Sequence, residues 1–217
     1  QRWIANDNKP LTKIGLSCGE KGFSGVRMYL TTSNALTGFK AVVSSLGGES
    51  AVLLEAFGFK ADDLTNPNNL LPTGKVIELL HSTSRQTDCA YFGLLLAAQQ
   101  PEIFMGVLGP TMRVSETLRK ALQFFEQHTD VQTTGLNWAL TSVGHTAYLS
   151  IEFKDDLPGD TRQATYLTVM QVRRLVRYIS DNKWQALRYY FSFRAPADQL
   201  PLRRLLRAPV NFDAEFN

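Results

Sequence analysis

The sequence predicts an α+β domain, a helical N-terminal half followed by an antiparallel sheet with a long packed helix. Three observations predict it. Apolar residues recur at helical spacing through the first 130 residues, the period then switches to two, and a long amphipathic run follows that switch. With 217 residues, 44% hydrophobic and 20% charged, the chain can bury a real core, and general disorder is excluded.

Residues 1–34 carry Gly15, Gly19, Gly22 and Gly25 among mixed polar residues and read as an extended arm or irregular cap, with the domain proper over 35–217. Leu36, Phe39, Val43 and Leu46 recur at helical spacing, and Gly47-Gly48 ends that run. A second short helix is expected over Ser50 to Phe57, closed by Gly58. Asp62 to Asn69 is rich in residues that bond to their own backbone and reads as turns. Pro72 opens the next helix, whose first turn has no N–H to lose, with Val76, Ile77, Leu79 and Leu80 inward. Ala90 to Gln100 is apolar nearly all round, as a helix buried on several sides would be. Ser115 is read as the cap of a helix running to His128, with Glu116 in its first turn and Leu118, Ala121, Leu122 and Phe125 as its stripe.

Leu136, Trp138 and Leu140 then alternate with polar or small residues, and Ala147, Leu149, Ile151 and Phe153 do so beyond Val143-Gly144-His145. Two such runs around a glycine make a hairpin. A loop at Leu157 to Asp160 precedes a helix over 162–181, with Val169, Val172, Val176 and Ile179 on one side. An aromatic strand over Arg188 to Phe193, a short helix over Leu200 to Leu206 and an extended piece over Pro209 to Phe212 complete the order.

Chemical signals are few. Against 20 acidic residues stand 23 basic ones, a formal net charge of +3, too weak for a chain whose main task is gripping nucleic acid. The basic residues cluster late, at Arg162, Arg173, Arg174, Arg177 and beyond, and form either solvated helix faces, a site for an anion or a contact for a DNA-binding partner. His81, His128 and His145 lack partners at ligand spacing, so no metal is expected, although one histidine would suffice for a haem. Cys18 and Cys89 fit free thiols in a reducing cytoplasm, and Cys89 reads as a small core residue. No nucleophile elbow or phosphate-cradling loop occurs, so no catalytic residue and no cofactor is expected. No apolar stretch approaches the roughly 20 residues of a membrane span, and no secretory signal is visible in residues 1–30.

Three stretches together resemble the N-terminal effector domain of AraC/XylS transcription regulators, in the branch labelled arabinose-binding-like. One runs from Leu46-Gly47-Gly48 through Leu53-Leu54, Gly58-Phe59, Asn66-Pro67, Leu71-Pro72 and Thr87-Asp88 to Phe92-Gly93-Leu94. The second joins Gly106-Val107-Leu108-Gly109 to Ser115-Glu116-Thr117-Leu118, and the third joins Tyr190-Phe191-Ser192-Phe193 to Ala208-Pro209-Val210-Asn211-Phe212. The resemblance implies a cytoplasmic, ligand-sensing regulatory domain of a bacterial regulator, with a small organic effector and a homodimer as its candidate assembly. DNA would be reached only through a C-terminal helix-turn-helix domain, which the chain, stopping at Asn217, is expected to lack. The rival readings are a haem or nitric-oxide sensor and a small enzyme with the same helices-then-sheet order.

A small-molecule pocket is expected where the helical layer meets the sheet, since the sheet must bury one face there. Trp138, Tyr148 and Phe191, with Phe104 and Met105, are the candidate lining residues. Trp138 and Tyr148 lie on opposite strands of the hairpin, and only one of the two is expected to face the pocket. The alternative is a fully packed aromatic core with no cavity.

Overall fold

The structure, a computed structural model, describes residues 28–101 and 108–215. Within them run strand β1 (Leu30–Thr32), helices α1 (Phe39–Ser45) and α2 (Ser50–Ala56), strand β2 (Leu70–Pro72), and helices α3 (Thr73–Gln86), α4 (Phe92–Gln99), α5 (Leu108–Arg113) and α6 (Leu118–His128). The hairpin β3 (Leu136–Val143) and β4 (Thr146–Phe153) follows, then α7 (Arg162–Ile179), β5 (Tyr189–Tyr190), α8 (Leu200–Leu206) and β6 (Val210–Asn211). The α+β class and the helices-then-hairpin order stand as the sequence predicts.

Helix α7 is the organising element. It packs along α4 and also touches α3, α5 and α6. Ala164, Leu167, Val169, Met170, Val172, Leu175 and Val176 of α7 are all buried, so its apolar residues serve more than one neighbour. Against α4 the approach reaches the backbone. A Cβ added at Gly93 would lie 2.0 Å from the Gln163 carbonyl oxygen, so only glycine admits this contact. The Gln163 side chain locks the pair: its Oε1 accepts from Gly93 N–H at 3.0 Å, and its Nε2 donates to Ala90 O at 3.0 Å.

Differences from the sequence reading have local causes. The run Leu36 to Leu46 is not one helix, because Gly38 takes φ +84° and separates a 3₁₀ turn over Ser33–Leu36 from α1. Helix α6 is capped by Thr117, whose side chain accepts from Lys120 N, so Ser115 is not the cap. Glu116 precedes the helix and instead pairs with Lys120. Helix α5, with Gly109 and Pro110 inside it, has no counterpart in the sequence reading. The last part of the expected arm is built into the fold: Leu30–Thr32 pairs antiparallel with Leu70–Pro72, and Thr31 bridges to Thr133.

The hairpin register places Trp138 opposite Ile151, Leu140 opposite Leu149 and Thr141 opposite Tyr148. The C-terminal strands do not extend this sheet. Strands β5 and β6 pair only with each other, in parallel, and the aromatic strand expected over Arg188 to Phe193 shrinks to two residues.

Candidate functional site

Where α3, α6 and α7 meet the hairpin, the side chains do not fill the space. A cavity of about 80 Å³ remains there, enough by volume for about three water molecules. Helix α7 contributes Ala164, Leu167, Thr168, Gln171 and Val172, a run at the i, i+3, i+4, i+7, i+8 spacing of one helix face. Thr73, Val76, Ile77 and Leu80 come from α3, Phe125 from α6, and Leu136, Trp138 and Phe153 from the hairpin. Thr31, Thr32, Asn34 and Ala35 close one side together with Thr129, Gln132 and Thr133. Among the described residues, no acidic or basic side chain lines it.

Most of its polar groups are occupied within the protein. Gln171 Nε2 donates to Gln100 Oε1 at 2.8 Å, and Gln100 Nε2 donates to Ala35 O at 3.0 Å. Thr32 Oγ1 donates to Gln132 Oε1 at 3.1 Å, Thr129 Oγ1 to Phe125 O at 2.8 Å and Thr168 Oγ1 to Ala164 O at 2.9 Å. Two groups are exceptions. Thr73 Oγ1 and Trp138 Nε1, on two of the residues that line the cavity, are buried and have no hydrogen-bond partner among the described residues. An unmet buried donor costs about 1–3 kcal/mol, so a ligand or water that satisfied these two would be favoured by a comparable amount.

The Trp138 ring stands edge-on to Phe125, with centroids 4.6 Å apart and planes at 67°. That contact fixes the indole at the cavity wall. Tyr148, paired with Thr141, leaves the hairpin by the other face and does not line the cavity, so the alternation of the strands separates the two candidates. Phe191 is fully buried elsewhere, in an aromatic cluster with Tyr166, Phe193 and Phe212 at centroid distances of 5.1–5.4 Å. Phe104 and Met105 lie outside the described residues. Of the three candidates among the described residues, Trp138 alone is placed at the cavity.

The sequence reading missed Thr73, Thr168 and Gln171. The last two carried a signal: they are polar residues set into the stripe that Leu167 and Val172 mark as inward. Cys89 is buried, and burial pushes its thiol above the ordinary range, which suits a packing role. Among the described residues no group of histidine, cysteine or carboxylate side chains is placed to hold a metal ion. No described helix is long and apolar enough to cross a membrane.

A family profile described as the arabinose-binding domain of AraC transcription regulator, N-terminal, matches residues 47–217. A comparison with curated proteins gives no match.

Proposed function

Because the chain belongs to the family of N-terminal arabinose-binding domains of AraC transcription regulators, we propose that it senses a small uncharged organic effector in the cavity between α3, α7 and β3. The observation that carries this reading is an uncharged space walled by Trp138, with two unmet polar groups, Thr73 Oγ1 and Trp138 Nε1, on residues that line it. An ion entering that space would lose its hydration with no countercharge to replace it, whereas a neutral molecule with oxygen acceptors would meet two waiting donors. The indole adds an apolar surface of the kind that favours a ring or carbon chain.

Binding would act by stabilising one arrangement of α3, α7 and the hairpin over others. A DNA-binding unit of the same regulator, working in the cytoplasm, would read out that arrangement through a coupling free energy between the two sites. No part of the reading calls for catalysis. The polar groups and the aromatic wall suit recognition, and among the described residues no carboxylate, histidine or cysteine lines the cavity.

The test is a thermal-shift screen with L-arabinose and a panel of uncharged polyols, ketones and lactones on the wild type and on Thr168→Met. The longer methionine fills the cavity from α7 without adding charge. A hit at a hundredfold excess over its Kd raises the wild-type Tm by about 5 °C or more and leaves Thr168→Met unmoved. A compound that stabilises both proteins equally places its site elsewhere and overturns the proposal.

A further inference from the structure

Helix α7 carries a second set of residues whose chemistry is opposite to that of the cavity. Met170, Arg173, Arg174, Arg177 and Tyr178 recur at i, i+3, i+4, i+7 and i+8, and so lie along one face. Helix α5 brings Arg113 beside them, and Asp181 and Asn182 close the end, forming a groove of about 430 Å³. Among the described residues, four arginines against one aspartate give the groove a formal charge of +3, equal to the net charge of the whole chain. The sequence marked this cluster without deciding between solvated faces and an anion site.

The geometry favours the anion site. Arg173 is 9% exposed, too deep for a solvated face. Its Nε donates to Leu206 O at 3.0 Å, and Arg174 Nη1 donates to Ala97 O, so two guanidinium groups are held by the C-terminal carbonyls of α8 and α4. The one carboxylate is already engaged, with Asp181 Oδ1 accepting from Arg113 Nη2 at 2.7 Å. Arg113 also lies over the Tyr178 ring at 4.8 Å, which fixes its plane. No described carboxylate forms an ion pair with Arg173 or Arg177. Burial above all pushes the Arg173 guanidinium below its ordinary range; Tyr189 opposes that shift, and Arg177 and Arg207 nearby add to it.

We propose that this groove binds a phosphate-bearing small molecule, with Arg177 and Arg113 closing on the phosphate and Arg173 and Arg174 supplying a positive floor. Planar guanidinium forks match phosphate oxygens in pairs, and four of them around one concave space exceed what a single carboxylate can balance. A nucleic-acid face is the poorer fit: the charge is concave and tied into the helix ends, whereas duplex binding needs a projecting element and a strongly basic surface. The site is separate from the uncharged cavity, so two ligands of different chemistry would be read by two faces of one helix.

The test is calorimetric titration of the full chain with inorganic phosphate and with pyrophosphate at constant ionic strength, for the wild type, Arg177→Gln, Arg177→Lys and the exposed control Arg204→Gln on α8. Pyrophosphate should bind more tightly than phosphate. Arg177→Gln should weaken it about tenfold or more, Arg177→Lys should weaken it less than Gln does, and Arg204→Gln should leave it within about twofold. Circular dichroism of each variant checks the fold, and the Lys variant keeps the charge if Gln disturbs it. Equal weakening by Arg204→Gln, or no heat from either anion, overturns the proposal. A duplex that binds at this salt while both anions do not would also overturn it, in favour of a nucleic-acid surface.

Discussion

The two sides of helix α7 are packed to different standards. Toward α4 the contact is so close that Gly93 meets the Gln163 backbone, and the one buried amide between them is paired at both ends. Toward the hairpin there is an unfilled cavity with two unmet polar groups on its lining residues, and a second void of about 60 Å³ bordered by Leu122, Leu149 and Trp184, with Arg119 and Arg173 also in its wall. Interiors normally fill to crystal-like density and pair their polar groups, so the α4 side is the ordinary one. The difference teaches that the fold draws its rigidity from the α4–α7 contact and leaves room where the hairpin closes on the helices.

The contrast can be broken by mutation, and the largest effect is expected on the tight side. Gly93→Ala places a methyl group into backbone that cannot move aside, and chemical denaturation should show a loss of about 3 kcal/mol or more. A loss below about 1 kcal/mol would mean that the two helices slide apart cheaply. Next in size is Leu122→Ala on the loose side. Leu122 is 8% exposed and already borders a void, so its cost should fall near the low end of about 2–5 kcal/mol for such truncations. An unchanged denaturation midpoint would show that the α6 stripe faces solvent or a partner.

Smaller still is Thr73→Val, which keeps the shape and removes an unmet hydroxyl. Stability should hold or rise by up to about 1 kcal/mol while any effector-induced gain in Tm shrinks, so one substitution separates the roles of fold and site. The smallest effect concerns pH. Burial pushes the Tyr166 and Tyr189 phenols well above the ordinary range, so the folded chain keeps protons that the unfolded chain loses near pH 10. Their contribution to stability is complete below that pH and declines as pH rises through it. Tyr166→Phe should flatten part of that alkaline decline in a series of thermal melts, with little change at pH 7.

Much of the fold could be read from residue order because the signals were local. The alternation from Leu136 to Phe153 gave the hairpin and the opposite facing of Trp138 and Tyr148, and the apolar run at Ala90 to Gln100 gave the buried α4. Elements whose stability comes from distant partners escaped. Strand β1 exists because β2, forty residues on, and Thr133, about a hundred residues on, lie beside it. Helix α5 contains glycine and proline and is held by packing against α6 and α7. The cavity was legible in its place and in Trp138, but not in Thr73. Nothing in the residues around Thr73 signals that its hydroxyl ends without a partner; that depends on how three layers meet. Phe191 is placed away from this cavity, because large rings near one another in sequence and space pack against each other first.

The central claim is that the unfilled space beside Trp138 is where an effector binds. It is tested most directly by fluorine NMR of the chain labelled with 5-fluorotryptophan, with the Trp138 resonance assigned by its loss in Trp138→Phe. The probe is L-arabinose or whichever uncharged compound of the panel raises the Tm. The account predicts that titration shifts or broadens the Trp138 signal in proportion to occupancy, while the Trp184 signal at the neighbouring void moves little. A stabilising compound that leaves Trp138 unchanged would contradict it.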